Sequence, residues 1–492
     1  MRPKQHCTFQ SIAGTQRYVC TVCGFETTPM AQPPRVRICT SSGKPLTLPP
    51  IGTQAVRYLT AIERWRAAGK PERTDEEVDQ ILREHCSQCV YFDAGRCKHE
   101  QCGCRVRSSA GERETFLGRY VSRGLVNKLR MATERCPLNK WHASGPVRVC
   151  FVAVVWAVGG VERWLIDLAR LMDPAKARIV RVVVTSKGGL VAGAEKWLPP
   201  GIEIIESTEI VDDGSFDCVV TWGQLDLSEK IRRLSCPVID VQHACHPSDQ
   251  WTQPLVQEAI KAHTLRGVHL AAVSELCREQ FPPEVRGKIS VIPNGADPER
   301  VKPTGRKPLN LPLPPGAKVA LYVGRISPEK NVQAVIDAVN YAGHPWHAVI
   351  VGPQRLALTR ITERIHLVGE QSQIGDWLAM ADALVHPSSF ESHGLAVNEA
   401  WLAGVPVVSC SYPVNRQFEE RHGPLMWLVP VGPTAEQLAA AILQADRDDP
   451  RVGRAREVAL REYTAQVMAE RWGELIWSVC RKTVPQTAPG TI

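Results

Sequence analysis

The chain has 492 residues, 44% of them apolar, which at roughly 100–200 residues per domain makes three or more folding units with sizeable cores. No stretch reads as a membrane-spanning helix: the longest apolar run, Val149 to Val161, holds two glycines, lies between Arg148 and Glu162, and falls short of the ~20 residues a spanning helix needs. Charge is divided unevenly, with 23 Lys and Arg against 13 Asp and Glu in residues 1–145, and 36 against 38 in the remainder. The opening MRPKQHCTFQ carries charge but no apolar stretch of the signal-peptide kind, so the sequence reads as cytoplasmic.

Ten of the 17 cysteines lie in the first 136 residues. Without a secretory signal, clustered cysteines point to metal ligation rather than disulfides. Residues 1–45 read as a zinc-binding module. Cys20-x2-Cys23 presents two thiolates to one ion, and Cys7 and Cys39 complete a tetrahedral set, with His6 an alternative to Cys7. SSGKPLTLPP, residues 41–50, reads as a linker.

Residues 46–145 read as a helical linker and a second Cys-rich module. Apolar residues at 51, 55, 59, 62 and 65 form a helical stripe. Thr74-Asp-Glu-Glu77 is a capping box that opens a second helix through Val78, Ile81 and Leu82. Cys86-x2-Cys89, Cys97, Cys102-Gly-Cys104 and Cys136 exceed one tetrahedral site, so either some are spare or two metals share ligands. Spacing does not separate zinc from an iron–sulfur cluster. The basic balance suits a phosphate-rich partner, but with no aromatic residues interleaved among the cations a solvated surface is the simpler reading.

From Val147 the texture changes to apolar runs alternating with helical patterns, which is how βα units and a parallel sheet read. Strands are expected at 147–156, 179–185, 202–205, 218–222, 238–242, 268–273 and 289–292, making residues 146–300 one Rossmann-like domain. Gly159-Gly160 follows the first strand and opens a helix, where backbone N–H groups can approach an anionic ligand; a Gly-Gly alone also describes a tight turn. The absence of G-x-G-x-x-G argues against a dinucleotide oxidoreductase. His243 and His246 follow the strand VIDVQ, at the carboxyl edge where open α/β sheets bind ligands, and either can serve a substrate hydroxyl as contact or proton acceptor.

The proline-rich stretch 306–316 reads as an interdomain linker. Residues 301–480 then repeat the βα texture, with strands at 319–323, 348–351, 365–368, 383–386 and 405–409. One helix is expected over Val458–Cys480, and 481–492 read as a disordered tail. Arg325 and Lys330 place two cations on one loop beside a helix N-terminus, suited to holding the charge of a diphosphate. Glu391 lies in the loop after the fourth strand, and Glu399 is placed at the start of the following helix. Asp446-Arg-Asp448 falls in an acidic connecting loop and reads as solvated surface.

Four landmarks occur in order: Gly-Gly-Val-Glu (159–162), Val-Ile-Pro-Asn-Gly-Ala-Asp (291–297), Gly-Arg-x-x-x-Glu-Lys (324–330), and two glutamates eight apart in PSSFESHGLAVNEAWLAGVPVV. Over residues 146–480 the chain resembles the retaining GT-B glycosyltransferases usually called family 4. The resemblance implies an α/β architecture of two Rossmann-like domains facing a cleft, here preceded by the Cys-rich, metal-stabilised modules. It implies a donor domain (301–480), an acceptor domain (146–300) and a last helix that returns to pack on the first domain. The donor is a nucleoside diphosphate sugar of unspecified base and sugar, and no catalytic metal is expected. By resemblance, Arg325 and Lys330 stabilise the leaving diphosphate, and Glu399 accepts hydrogen bonds from the ribose. Glu391 contacts the donor sugar near the reacting carbon, and the backbone N–H groups of His393, Gly394 and Leu395 reach sugar hydroxyls and phosphate.

The sequence departs from the family's Glu-Gly-Phe-Gly with Glu391-Ser392-His393-Gly394, which is where donor specificity is expected to be set. The acceptor (glycan, lipid, protein or nucleic acid) and the oligomeric state are not specified. Two other activities fit the same landmarks: a GT-B nucleotide-sugar epimerase, and a metal-stabilised adaptor that binds without catalysing or docks on nucleic acid through its basic front.

Overall fold

The computed structural model describes residues 145–481, apart from 157–158, 191–193, 244–251, 306–310 and 372, together with shorter stretches before residue 145. The chain forms two compact units, residues 1–145 with 481–492, and residues 146–480.

In the first unit, the Thr74 capping box forms as read: the Thr74 hydroxyl accepts from Glu77 N, and the Glu77 carboxylate accepts from Thr74 N. It opens a helix at Asp75–Ile81 that continues as one wide turn, Leu82–Cys86. Val78, Leu82 and Cys86 pack with Leu125, Val126 and Leu129 of the helix Arg123–Arg130. Arg73 is buried beneath them and donates to the carbonyls of Leu129, Met131 and Glu134 at 2.6–2.9 Å. Burial pushes its guanidinium down to about 10. The tail beyond Arg481 lies outside the described residues.

The second unit holds two parallel sheets. The first contains β1 (Val147–Ala153), β2 (Ala177–Val184), β3 (Glu203–Glu206), β4 (Cys218–Thr221), β5 (Val238–Gln242), β6 (His269–Ala272) and β7 (Ser290–Val291), in spatial order 3-2-1-4-5-6-7. The second contains β8 (Lys318–Val323), β9 (Trp346–Val351), β10 (Ile365–Gly369), β11 (Ala383–His386), β12 (Val407–Cys410) and β13 (Trp427–Val429), in order 10-9-8-11-12-13. Both are doubly wound, with the strand order reversing beside the first strand, the point where such sheets bind ligands. Strands buried on both faces read as continuous apolar runs, as Cys218–Val220 of β4 and Ala348–Val351 of β9 do; β5 is equally buried although it carries Asp240 and Gln242.

The strand β13 was not among the sequence readings; it is only three residues, Trp-Leu-Val, and pairs at the edge of its sheet with β12. A larger difference lies at the C-terminus. The single helix expected over 458–480 is two, Pro450–Glu462 and Ala465–Arg481. The break has a clear cause. Tyr463 O accepts from Ala296 N at 2.9 Å rather than continuing the helical ladder, and Ala465 N donates to Ala296 O at 2.8 Å. The Thr464 hydroxyl then caps Val467 N at 3.2 Å and starts the new helix. Gly295 is required here, since a Cβ would land on Thr464 O and lie 2.7 Å from Ala465 N. The last helix runs back to the first sheet's domain, where the Trp472 ring lies 5.3 Å from that of Trp164. Among the described residues, no helix is long and apolar enough to cross a membrane.

Candidate functional site

The loop after β8 is built for close approach. Tyr322 O–H donates to Arg325 O at 2.7 Å. Ile326 N donates to Pro353 O and Arg355 N to Ile326 O, both at 3.0 Å, which stitches this loop to the one after β9. Pro328–Lys330 form a single 3₁₀ turn that leads through Asn331 into the helix α1 (Val332–Ala342). On the other side, Ser389 donates to Glu329 O through its N–H at 2.9 Å and its hydroxyl at 3.0 Å. The loops after β8 and β11, which carry the cations and Glu391, are thereby held together at the carboxyl edge of the sheet.

Lys330 pairs with Glu391 Oε1, and His386 Nε2, at the end of β11, lies 3.3 Å from the same oxygen. Both partners of the Lys330–Glu391 pair are largely buried. Burial alone would push the Glu391 carboxyl up, but the Lys330 charge and the His386 hydrogen bond outweigh it and hold the group well below the usual carboxylate range. Arg325 is half exposed, and among the described residues its ion-pair partner is Glu329, 3.6 Å away. Its guanidinium is thus the more available of the two cations.

Glu399 does not stand at the start of its helix. The helix α2 begins at Leu395, because Gly394 takes the left-handed conformation (φ 89°) that lets the chain turn into it. Glu399 is one turn in, buried, with Oε1 paired to Arg300. Burial raises its pKa, opposed by the charges of Arg300 and Arg163. Arg163, Asp167 and Arg170 share one face of the helix Gly160–Leu171. Burial, with the Asp297 charge, pushes Asp167 up to about 6 against the opposing charges of Arg163, Arg300 and Arg170, and Arg170 reaches Asp297 at 3.4 Å.

The His393 side chain points inward. Its Nε2 accepts from Asn398 Nδ2 at 2.9 Å, and its ring meets Phe418 and Tyr463 edge-on at 5.6 Å. Burial pushes the imidazole down to about 4. Residue 393 therefore offers a ligand its backbone, not its ring.

Gly159 is the residue before the helix Gly160–Leu171. A Cβ on Gly160 would sit 3.6 Å from Leu395 Cδ1, so the glycine turn of the first sheet's domain faces the start of α2 in the second. His243 follows β5, with its ring 4.8 Å from Trp164 and 6.3 Å from Trp222. Burial drives it down to about 3, and its Nε2 is enclosed with no hydrogen-bond partner among the described residues. His246 lies outside the described residues.

Of the cysteines read as metal ligands, Cys7, Cys23, Cys39, Cys102, Cys104 and Cys136 lie outside the described residues. Cys20 ends a short strand. Cys89 N donates to Cys86 O at 2.9 Å, a tight C-x2-C turn, and Cys97 packs at the edge of the apolar cluster that includes Cys86. Among the described residues, no three His, Cys, Asp or Glu side chains converge as a metal site would require.

Arg300, Arg163, His386 and Tyr412 were not among the sequence candidates. His386 left a trace, a polar residue closing an apolar strand just before Pro387. Arg300 left none, since its partner is 99 residues away.

Residues 317–448 match the family model described as glycosyl transferases group 1. This matched segment spans the second sheet, β8 to β13. It contains Arg325, Lys330, Glu391 and Glu399 together. The D-inositol 3-phosphate glycosyltransferase 2 of Catenulispora acidiphila is 31% identical over 147 residues, 25% of this chain and 34% of that protein. The lipopolysaccharide core biosynthesis mannosyltransferase LpsB of Rhizobium meliloti is 30% identical over 139 residues, 24% of this chain and 40% of its own. The matches thus span about a third of the length of these curated relatives.

Among solved structures, Anabaena Alr3699/HepE in complex with UDP and glucose superposes with a TM-score of 0.54 at 19% identity, covering 68% of this chain and 100% of that one. A glycosyltransferase from Rickettsia africae gives 0.55 at 16% identity, covering 69% and 100%. With the two reversed-order parallel sheets, these likenesses establish the GT-B fold.

Proposed function

We propose that the chain transfers a sugar from a nucleoside diphosphate sugar to an acceptor hydroxyl with retention of configuration, as a family 4 enzyme. The observation that carries this reading is the junction of the loops after β8 and β11, pinned by Ser389–Glu329 and Lys330–Glu391, inside the segment that matches the glycosyl transferases group 1 model. The Anabaena relative's complex with UDP and glucose supports a nucleotide-sugar donor of this kind.

In this reading Arg325 swings onto the diphosphate, and Lys330 adds a fixed positive charge as the leaving group departs. The first-turn N–H groups of α2, which a helix leaves without internal partners, face the same anion. Glu399 offers the ribose its Oε2, its Oε1 being held by Arg300. The backbone N–H groups of Gly159 and Gly160 approach the donor's anionic group, and His243 serves the acceptor hydroxyl through its other ring nitrogen, Nδ1. The N-terminal thiols are read as structural zinc ligands on their spacing, and elemental analysis of the purified chain finding neither zinc nor iron would remove that part.

Thermal unfolding against a panel of sugar nucleotides tests the donor reading, since a ligand at 100 times its Kd adds about 2.7 kcal/mol. With the stabilising donor, Arg325→Ala and Glu399→Ala should abolish transfer in protein that remains folded. Unchanged turnover in both would sink the site assignment. Epimerised sugar nucleotide formed without acceptor would favour an epimerase, and no stabilisation by any donor, an adaptor.

A further inference from the structure

The oxygens of Glu391 are used unequally. Lys330 Nζ and His386 Nε2 both address Oε1, while Oε2 has no protein partner among the described residues. Two donors converging on one oxygen fix the carboxylate in a single rotamer and leave the second oxygen for a ligand. His386 is itself fixed from behind. Its Nδ1 lies 3.2 Å from the Tyr412 hydroxyl, and Ser409 Oγ donates to its carbonyl at 2.9 Å. The ring is almost wholly buried, and so is Tyr412.

The hydrogen bonds assign the tautomer. Glu391 accepts, so Nε2 carries a proton, and in the neutral ring Nδ1 is then the acceptor and the Tyr412 O–H donates. Ser388 Oγ, at 3.5 Å from Nε2, is a weaker competitor than the carboxylate. The groups facing this ring are therefore Glu391, Lys330 and Ser388 on the Nε2 side, with Tyr412 at Nδ1.

We propose that His386, oriented by Tyr412, is a positioning residue for the transfer reaction: with Lys330 it clamps Glu391 Oε1, so that Oε2 is the atom that accepts a hydrogen bond from a hydroxyl of the donor sugar. The inference rests on the donor-site reading above. It assigns the sugar contact to one oxygen, and it explains why a histidine closes an otherwise apolar strand. Misplacing a contact by about 1 Å can cost on the order of a hundredfold in rate, so the clamp matters through geometry, without touching the substrate.

The test compares His386→Ala, His386→Gln and Tyr412→Phe. A glutamine amide can place its nitrogen near that of Nε2 and donate to Glu391, whereas alanine cannot. His386→Ala should lose kcat by about 10- to 100-fold, with the Kd for the free nucleoside diphosphate within about twofold of wild type. His386→Gln should recover most of the loss, and Tyr412→Phe should fall between. Equal losses in Ala and Gln, or a parallel loss of nucleoside diphosphate binding, would overturn the clamp in favour of a plain packing role.

A readout without donor separates this from failure of the functional reading. In ligand-free protein, the Glu391 carboxyl resonance, identified by difference from Glu391→Gln, should titrate at higher pH in His386→Ala but not in His386→Gln. An unmoved titration in His386→Ala refutes the clamp even if no sugar donor is found. A moved titration without any transfer refutes the proposed reaction and leaves the clamp standing.

Discussion

Arg300 and Glu399 form an ion pair across 99 residues of chain, from the segment after β7 to the inside of α2. The pair ties the end of the first sheet's domain to the residue proposed to bind the ribose. Removing the cation leaves a buried carboxylate whose pKa burial already raises. Breaking a buried pair on one side costs about 3–5 kcal/mol, and the charge of Arg163 nearby should keep the loss near the low end. Arg300→Met should therefore lose about 3 kcal/mol in denaturant unfolding, and adding Glu399→Gln should return most of it. A single variant within about 0.5 kcal/mol of wild type would show that the pair is not formed in solution.

Gly295 gives a second prediction, from contact rather than charge. Its backbone lies against Thr464 and Ala465, and Gly295 N lies 3.2 Å from Met468 Sδ. Gly295→Ala must move either the 294–297 segment or the break between the last two helices. Overpacking of this kind costs about 1–3 kcal/mol, and with backbone rather than a flexible side chain in the way the upper end is expected. The midpoint of urea unfolding should fall accordingly, with the slope unchanged. An unshifted midpoint would mean that the last helix does not dock in this register.

The fold was legible where physics is local or periodic. Strands such as β4 and β9 carry short apolar runs, Cys218–Val220 and Ala348–Val351, because both faces are covered. The helix at Asp75 announced itself by its capping box. The break at Tyr463–Thr464 was not legible, because apolar spacing continues through it and the cause is a distant segment, Ala296. The site followed the same division. Arg325, Lys330, Glu391 and Glu399 sit in local motifs, whereas Arg300 and Tyr412 join the site only through long-range contacts. Ser392-His393 looked like a pocket departure, yet the His393 ring fills a slot among Asn398, Phe418 and Tyr463. Sequence order alone does not say which way a loop side chain turns.

Lys330 sets the charge state of Glu391, and its removal should be visible in acid. A carboxyl held below its ordinary value contributes stability that is present above the unfolded pKa, near 4.3, and lost as pH falls through the folded value. The downward shift of Glu391 depends on Lys330 and His386 acting against burial. Lys330→Met leaves burial dominant, so the variant should be less stable than wild type at neutral pH, and the gap should narrow as the medium is acidified towards pH 3. A gap that stays constant from pH 7 to pH 3 would show that the lysine does not govern this carboxyl.

His393 gives the opposite kind of acid sensitivity. Burial lowers its pKa to about 4, against about 6.5 in an unfolded chain. Between those values the unfolded state takes up a proton that the folded state refuses. Stability from this residue is thus complete above about pH 6.5 and falls on acidification by roughly 1.4 kcal/mol per pH unit until the folded group titrates. His393→Phe keeps the aromatic contacts with Phe418 and Tyr463 and removes the titration, at the cost of the acceptor for Asn398 Nδ2, about 1 kcal/mol. The variant should therefore be slightly less stable than wild type at pH 8 and more stable at pH 5. Urea unfolding at a series of pH values measures both limbs. Parallel pH profiles, with no crossing, would mean that His393 is solvated and free to protonate in the folded protein.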